Sequence, residues 1–148
     1  MPEKETLERA AEDKAEGKSP STQAGEFVRE EIEHIREGKH GARSTKQAIA
    51  IGLSKARRAG VELSPPKEGQ ASKETRKQAA RDLRKGKSAT KAAKSSKRSR
   101  ATFNALKREG HSAASKTALS RQAHKAAAKR SAASRSRSAK KAATTRKK

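Results

Sequence analysis

The stretch RSTKQAIAIGLSKARRAG, residues 43–60, decides how the rest of the chain is read. Ser44 followed by Gln47 is a capping box: the serine hydroxyl takes an orphan amide of the first turn and the longer side chain reaches back. Ile49, Leu53 and Ala56 then fall on one helical stripe, with Ile51 displaced from it. Lys55, Arg57 and Arg58 crowd the last turn, where they complement the helix dipole, and Gly60 suits the residue after the end. Upstream, EFVREEIEHIREGK (26–39) places Phe27, Val28, Ile32 and Ile35 near helical spacing, with Gly38 as the stop. Downstream, Val61, Leu63 and Pro65–Pro66 read as an extended exit and a boundary. The two segments predict a helical hairpin over about 26–60, the core of a domain at 26–64. So small a core is marginal alone, which favours a homo-oligomer formed through the hairpin.

Around the hairpin the organisation is looser. Residues 1–25 read as an acidic N-terminal helix followed by a linker, and 65–71 as a Pro-containing linker. Residues 72–130 read as basic, alanine-rich helical segments. Ser72 caps the first of these over 73–85, with Leu83 on its apolar side and Gly86 at its end. Phe103 and Leu106 share a face before Gly110, and Leu119, Ala123 and Ala126 stack further on. Residues 131–148 have no apolar period and read as a disordered basic tail. The expected fold class is mostly α with a large disordered portion. The strings Arg36-Glu37-Gly38-Lys39, Arg84-Lys85-Gly86-Lys87 and Arg108-Glu109-Gly110-His111 form a weak repeat with the content "helix, glycine stop, serine restart".

Composition explains the looseness. Of 148 residues, 29 are alanine and only 14 are Leu, Ile, Val or Phe. That is about a tenth of the chain, against the roughly 20% below which a highly charged chain is expected to lack a full core. Cysteine is absent, which removes disulfides, zinc–thiolate sites and cysteine catalysis. There is no long apolar run, and the acidic start does not read as a signal peptide. The net charge is +23. It is distributed unevenly: residues 1–40 hold 7 basic and 11 acidic side chains, and 71–148 hold 26 basic and 3 acidic. The expected setting is therefore cytoplasmic and nucleoid-associated, and the expected partner is a polyanion.

The string KQAIAIGLSKAR (46–57) resembles the signature of a small, uncharacterised bacterial domain family, preceded as here by a segment like Phe27–Lys39. The resemblance covers about 40 residues. It implies a bacterial origin, no known enzymatic activity and no functional residues to transfer. The Lys/Ala-rich tail is similar in composition to the tails of linker histones and of histone-like nucleoid proteins.

These readings converge on a non-enzymatic, histone-like protein that binds and compacts duplex DNA without sequence preference, through Lys/Arg–phosphate contacts. The residues expected to carry it are Arg57, Arg58, Arg76, Arg81, Arg84, Lys91, Lys94, Lys97, Arg98, Arg100, Lys107, Arg108, Lys116, Arg121, Lys125, Lys129, Arg130, Arg135, Arg137, Lys140, Lys141, Arg146, Lys147 and Lys148. The alternatives are an RNA- or ribosome-associated basic protein, and a protein-interaction hairpin with an electrostatic tail. Base stacking is disfavoured because Phe27 and Phe103 are the only aromatic side chains besides histidine. Membrane insertion is disfavoured for want of an apolar helix face. A helix–turn–helix over 26–60 would present Lys46, Lys55, Arg57 and Arg58; a packing hairpin is the preferred reading. The acidic segment could fold back on the basic half, or merely solubilise the chain. His34 and His40, with Glu30, Glu33 and Glu37 nearby, suggest a divalent-metal site. Their spacing is not i,i+4 and no HExxH is present, so a solvated acidic face is preferred, with no metal and no cofactor expected.

Overall fold

Serine sets the helix starts. The computed structural model describes residues 1–88 and 95–146. Within them the elements are α1 (Lys4–Ala15), α2 (Pro20–Arg36), α3 (Thr45–Arg58), α4 (Lys73–Lys87), α5 (Ser96–Lys107), α6 (Lys116–Ala128) and α7 (Ala132–Arg146), with a 3₁₀ turn at Ser112–Ala114. Ser19, Ser44, Ser72, Ser95 and Ser115 each sit at an N-cap and accept the amide three residues on. Such a cap contributes about 1 kcal/mol. At Ser44 the capping box is shifted by one residue. Gln47 N donates to Ser44 Oγ at 3.2 Å, and the Gln47 carboxamide accepts from Arg43 N at 2.7 Å.

The expectation of a large disordered portion is overturned. All the described segments beyond residue 72 are organised around α-helices, and no strand occurs among the described residues. The stretch read as a disordered tail at 131–148 contains α7. The error has a physical origin. Apolar periodicity detects helices that bury a face, and α5, α6 and α7 bury none of their residues. Their helicity rests instead on alanine content and serine caps. The linker read within residues 1–25 is also short, since α2 begins at Pro20, and α4 runs through Gly86 rather than ending before it.

The hairpin helices α2 and α3 pack antiparallel. Ile32 and Ile35 near the end of α2 cluster with Ala48 near the start of α3. Phe27 and Ala24 cluster with Ala56 near its end. The face that α3 buries is not Ile49–Leu53. It is Thr45, Ala48, Gly52 and Ala56, with Ile49, Ile51 and Leu53 at its flanks. Small residues win because the backbones come so close. A Cβ on Gly52 would lie 2.7 Å from Val28 Cα and 3.0 Å from Phe27 O.

Three further pieces complete the core. Helix α1 adds Ala10 to the Phe27 cluster, and Val61 after α3 closes it. Helix α4 docks on α3 through Ala79 and Asp82. Asp82 accepts from Ser54 Oγ at 2.6 Å and from Gln78 Nε2 at 3.1 Å, with Arg58 Nε 3.4 Å away. The segment after α5 returns to the loop end of the hairpin. Gly41 N donates to Leu106 O at 2.9 Å and Ala42 N to Gly110 O at 3.0 Å. Ala113 and Ala114 are then buried against Ile32 and Ile35. Arg36 Nε holds Ala114 O at 2.9 Å, and Thr45 Oγ1 donates to Ala113 O at 2.7 Å. The repeat strings at Gly38 and Gly110 therefore meet in space.

Candidate nucleic-acid interface

The buried turn at 112–114 fixes where α6 starts, and so brings two helix N-termini onto one groove of about 440 Å³. Ser44, the cap of α3, and Ser115, the cap of α6, both line it. So do Arg43, Lys46, Arg121 and Lys125. Helix N-termini carry partial positive charge, and with four cations around them the groove has the electrostatics of a phosphate cradle. Arg121 and Lys125 were expected from the sequence. Arg43 is absent from the expected set, and Lys46 entered only through the helix–turn–helix reading. The signal that finds Arg43 is a cation flanking a cap serine, as in Arg43-Ser44.

The remaining expected residues sort by their surroundings. Arg57 is buried, and its guanidinium donates to Leu63 O at 3.0 Å and Ser64 O at 3.3 Å. Desolvation lowers its pKa while Asp82 opposes the shift, and two of its donors are used inside the fold. The expectation that Arg57 meets phosphate is thus replaced by a packing role. Arg58 donates to Ser54 and lies beside Asp82. Arg76 pairs with Glu68 at 3.6 Å. Arg81 and Arg84 are exposed on α4. On the third helix Lys55 bridges Glu30 and Glu31 at 3.2 and 2.7 Å. Three of the four cations that a recognition helix would need are therefore tied up, and the packing reading of this hairpin fits the contacts.

From Ser95 to Arg146 the situation reverses. Lys97, Arg98, Arg100, Lys107, Arg108, Lys116, Arg121, Lys125, Lys129, Arg130, Arg135, Arg137, Lys140, Lys141 and Arg146 are all exposed. Glu109 is the one acid in this span, and among the described residues none of these cations pairs with a carboxylate. Lys107 lies over the Phe103 ring, 5.0 Å from its centroid. Arg130 hydrogen-bonds Ser134 and Ser138, which ties the start of α7 to the end of α6. Lys91, Lys94, Lys147 and Lys148 lie outside the described residues.

The acidic segment is neutralised locally. Glu3 contacts His34 and Lys39, Asp13 and Glu16 hold Lys18, and Glu26 meets Arg9 and Arg29. His34 and then Lys39 hold the Glu3 carboxyl below its usual range. Asp13 and then Glu16 raise Lys18. Among the described residues no ion pair joins residues 1–40 to the cations of α5–α7.

Residues 13–68 match a family of unknown function, DUF6496. The match spans the end of α1, the whole hairpin and the exit through Pro65–Pro66. No curated protein and no solved structure matches the chain. Among the described residues no helix is long and apolar enough to cross a membrane.

Proposed function

We propose that the protein binds nucleic acid non-enzymatically and without sequence preference, with duplex DNA as the favoured partner and compaction as the outcome. The observation that carries this reading is the run of fifteen exposed cations on and between α5, α6 and α7 with no carboxylate partner among the described residues. A cation already paired must give up its partner to reach phosphate; these need not. The groove at the starts of α3 and α6 adds a place where a backbone phosphate meets amides as well as side chains. Lack of an aromatic platform argues for phosphate contact over base stacking.

The test is a titration of random-sequence duplex DNA with the full chain over a salt series. Contact with about 8 to 10 phosphates gives a log–log slope of roughly −7 to −9. Affinity that is flat with salt would overturn the reading. Competition with structured RNA decides between the two polyanions. The charge-reversal pair Arg121→Glu and Lys125→Glu, both exposed, should weaken binding with the melting temperature unchanged.

A further inference from the structure

We propose that Glu31, His34 and His40 form a binding site for a divalent transition ion of the Zn²⁺ class. One ring nitrogen from each histidine and one oxygen of Glu31 lie within 4.8 Å of one another. Glu31 and His34 sit at i,i+3 on the last turns of α2, so they share a face. His40 comes back to them through the turn at Gly38. The carbonyl end of α2 faces this corner, and its partial negative charge favours a cation.

The contacts of His40 point to an ion between the ligands. His40 is buried, with Nδ1 3.0 Å from the Gly41 carbonyl and Nε2 3.2 Å from Glu31 Oε1. Both neighbours are acceptors, while a neutral imidazole has a single donor. If Nδ1–H donates to the carbonyl, Nε2 and Oε1 face each other as two lone pairs. A metal ion bound to both resolves that conflict. The Gly41 carbonyl then plays the outer-shell part that fixes the tautomer of a metal-bound histidine.

Glu31 is equally well prepared. It is 1% exposed, and Lys55 Nζ lies 2.7 Å from its Oε2, leaving Oε1 on the histidine side. Oε2 accepts no hydrogen bond, so Lys55 balances the carboxylate as an ion pair and Oε1 stays open to a metal. Glu3 Oε1, 2.9 Å from His34 Nε2, is placed to orient that ring. Phe103 of α5 stands edge-on to His40, with centroids 6.4 Å apart, and shields one side. Two imidazoles and a carboxylate suit Zn²⁺ and its neighbours; Ca²⁺ and Mg²⁺ want six or more oxygens.

The experiment is calorimetric titration of Zn²⁺ into metal-stripped full-length protein, repeated with Co²⁺ followed by visible absorption. One ion per chain is expected, together with the d–d bands of a four-coordinate nitrogen/oxygen site and a melting temperature that rises with Zn²⁺ and falls back with EDTA. His34→Ala, at the partly open rim, should weaken binding at least tenfold and abolish the Co²⁺ bands while melting as wild type in EDTA. His124→Ala on α6 should bind as wild type. Absence of binding, or binding that His34→Ala and Glu31→Gln both leave unchanged, would overturn the site.

Discussion

At the scale of single residues, two glycines inside helices test the packing directly. Gly52 sits where α3 crosses α2, and a methyl there meets backbone atoms of Val28 and Phe27. Alanine gains about 1 kcal/mol over glycine in a helix interior. Overpacking against atoms that cannot turn aside costs roughly 1–3 kcal/mol. The clash is with main chain, so it wins: Gly52→Ala should destabilise by about 1–2 kcal/mol in urea unfolding. Gly25 lies in α2 with nothing near its would-be Cβ. There only the propensity gain remains, and Gly25→Ala should stabilise by about 0.5–1 kcal/mol. The opposite signs of one substitution at two helical glycines would locate the close crossing. Residue by residue, Phe27, Ile32 and Ile35 were legible as core from their spacing alone. The Ala48–Gly52–Ala56 face was not, because hydrophobicity ranks Ile49 and Leu53 above it. Steric closeness, which periodicity does not weigh, reversed that order. Glu31 escaped the sequence reading for a related reason. A run of glutamates looks solvated until Lys55 from the next helix is seen to meet it.

At the scale of elements, the helices that pack and the helices that extend obey different rules. Helix α4 is held to α3 by a buried carboxylate. Asp82 is 1% exposed and has Ser54, Gln78 and Arg58 as partners. Removing its charge leaves those donors without an acceptor, and breaking a buried charged network typically costs about 3–5 kcal/mol. Arg58 is partly exposed and recovers water, so Asp82→Ala should cost less, roughly 2–3 kcal/mol, by thermal or urea unfolding. Asp82→Asn keeps an acceptor for Ser54 and should cost less still. The serine caps were legible at Ser44 and Ser72, and they mark the starts of α3 and α4. The cap at Ser95 was not, although Phe103 and Leu106 mark α5 as helical, and α7 shows no apolar face on which a periodicity argument could act. The close approach of the loop at Gly41–Ala42 to the turn at Leu106–Gly110 joins residues about 65 apart in sequence. No local pattern announces a contact of that kind.

At the scale of the whole molecule, charge and core are separable. Among the described residues, everything buried lies between Thr6 and Ala114, and α7 contributes nothing to it. The 3₁₀ turn at 112–114 does contribute, so cutting the chain near residue 70 would strip Ala113 and Ala114 from Ile32 and Ile35. A fragment of that kind would confound lost charge with lost packing. Deletion of residues 131–148 avoids the problem. It removes Arg135, Arg137, Lys140, Lys141, Arg146, Lys147 and Lys148, and no buried side chain among the described residues. Surface changes of this sort stay within about 0.5 kcal/mol, so the melting temperature should move by no more than about 2 °C. The salt dependence of DNA binding should change far more. If roughly a third of the cations beyond residue 70 contact phosphate, seven fewer cations remove about two contacts, and the log–log slope shrinks by about 2. A fall in melting temperature well beyond that limit would show α7 to be part of the folded body. An unchanged slope would place the phosphate contacts on α5, α6 and the groove between Ser44 and Ser115, with α7 left to meet something other than DNA.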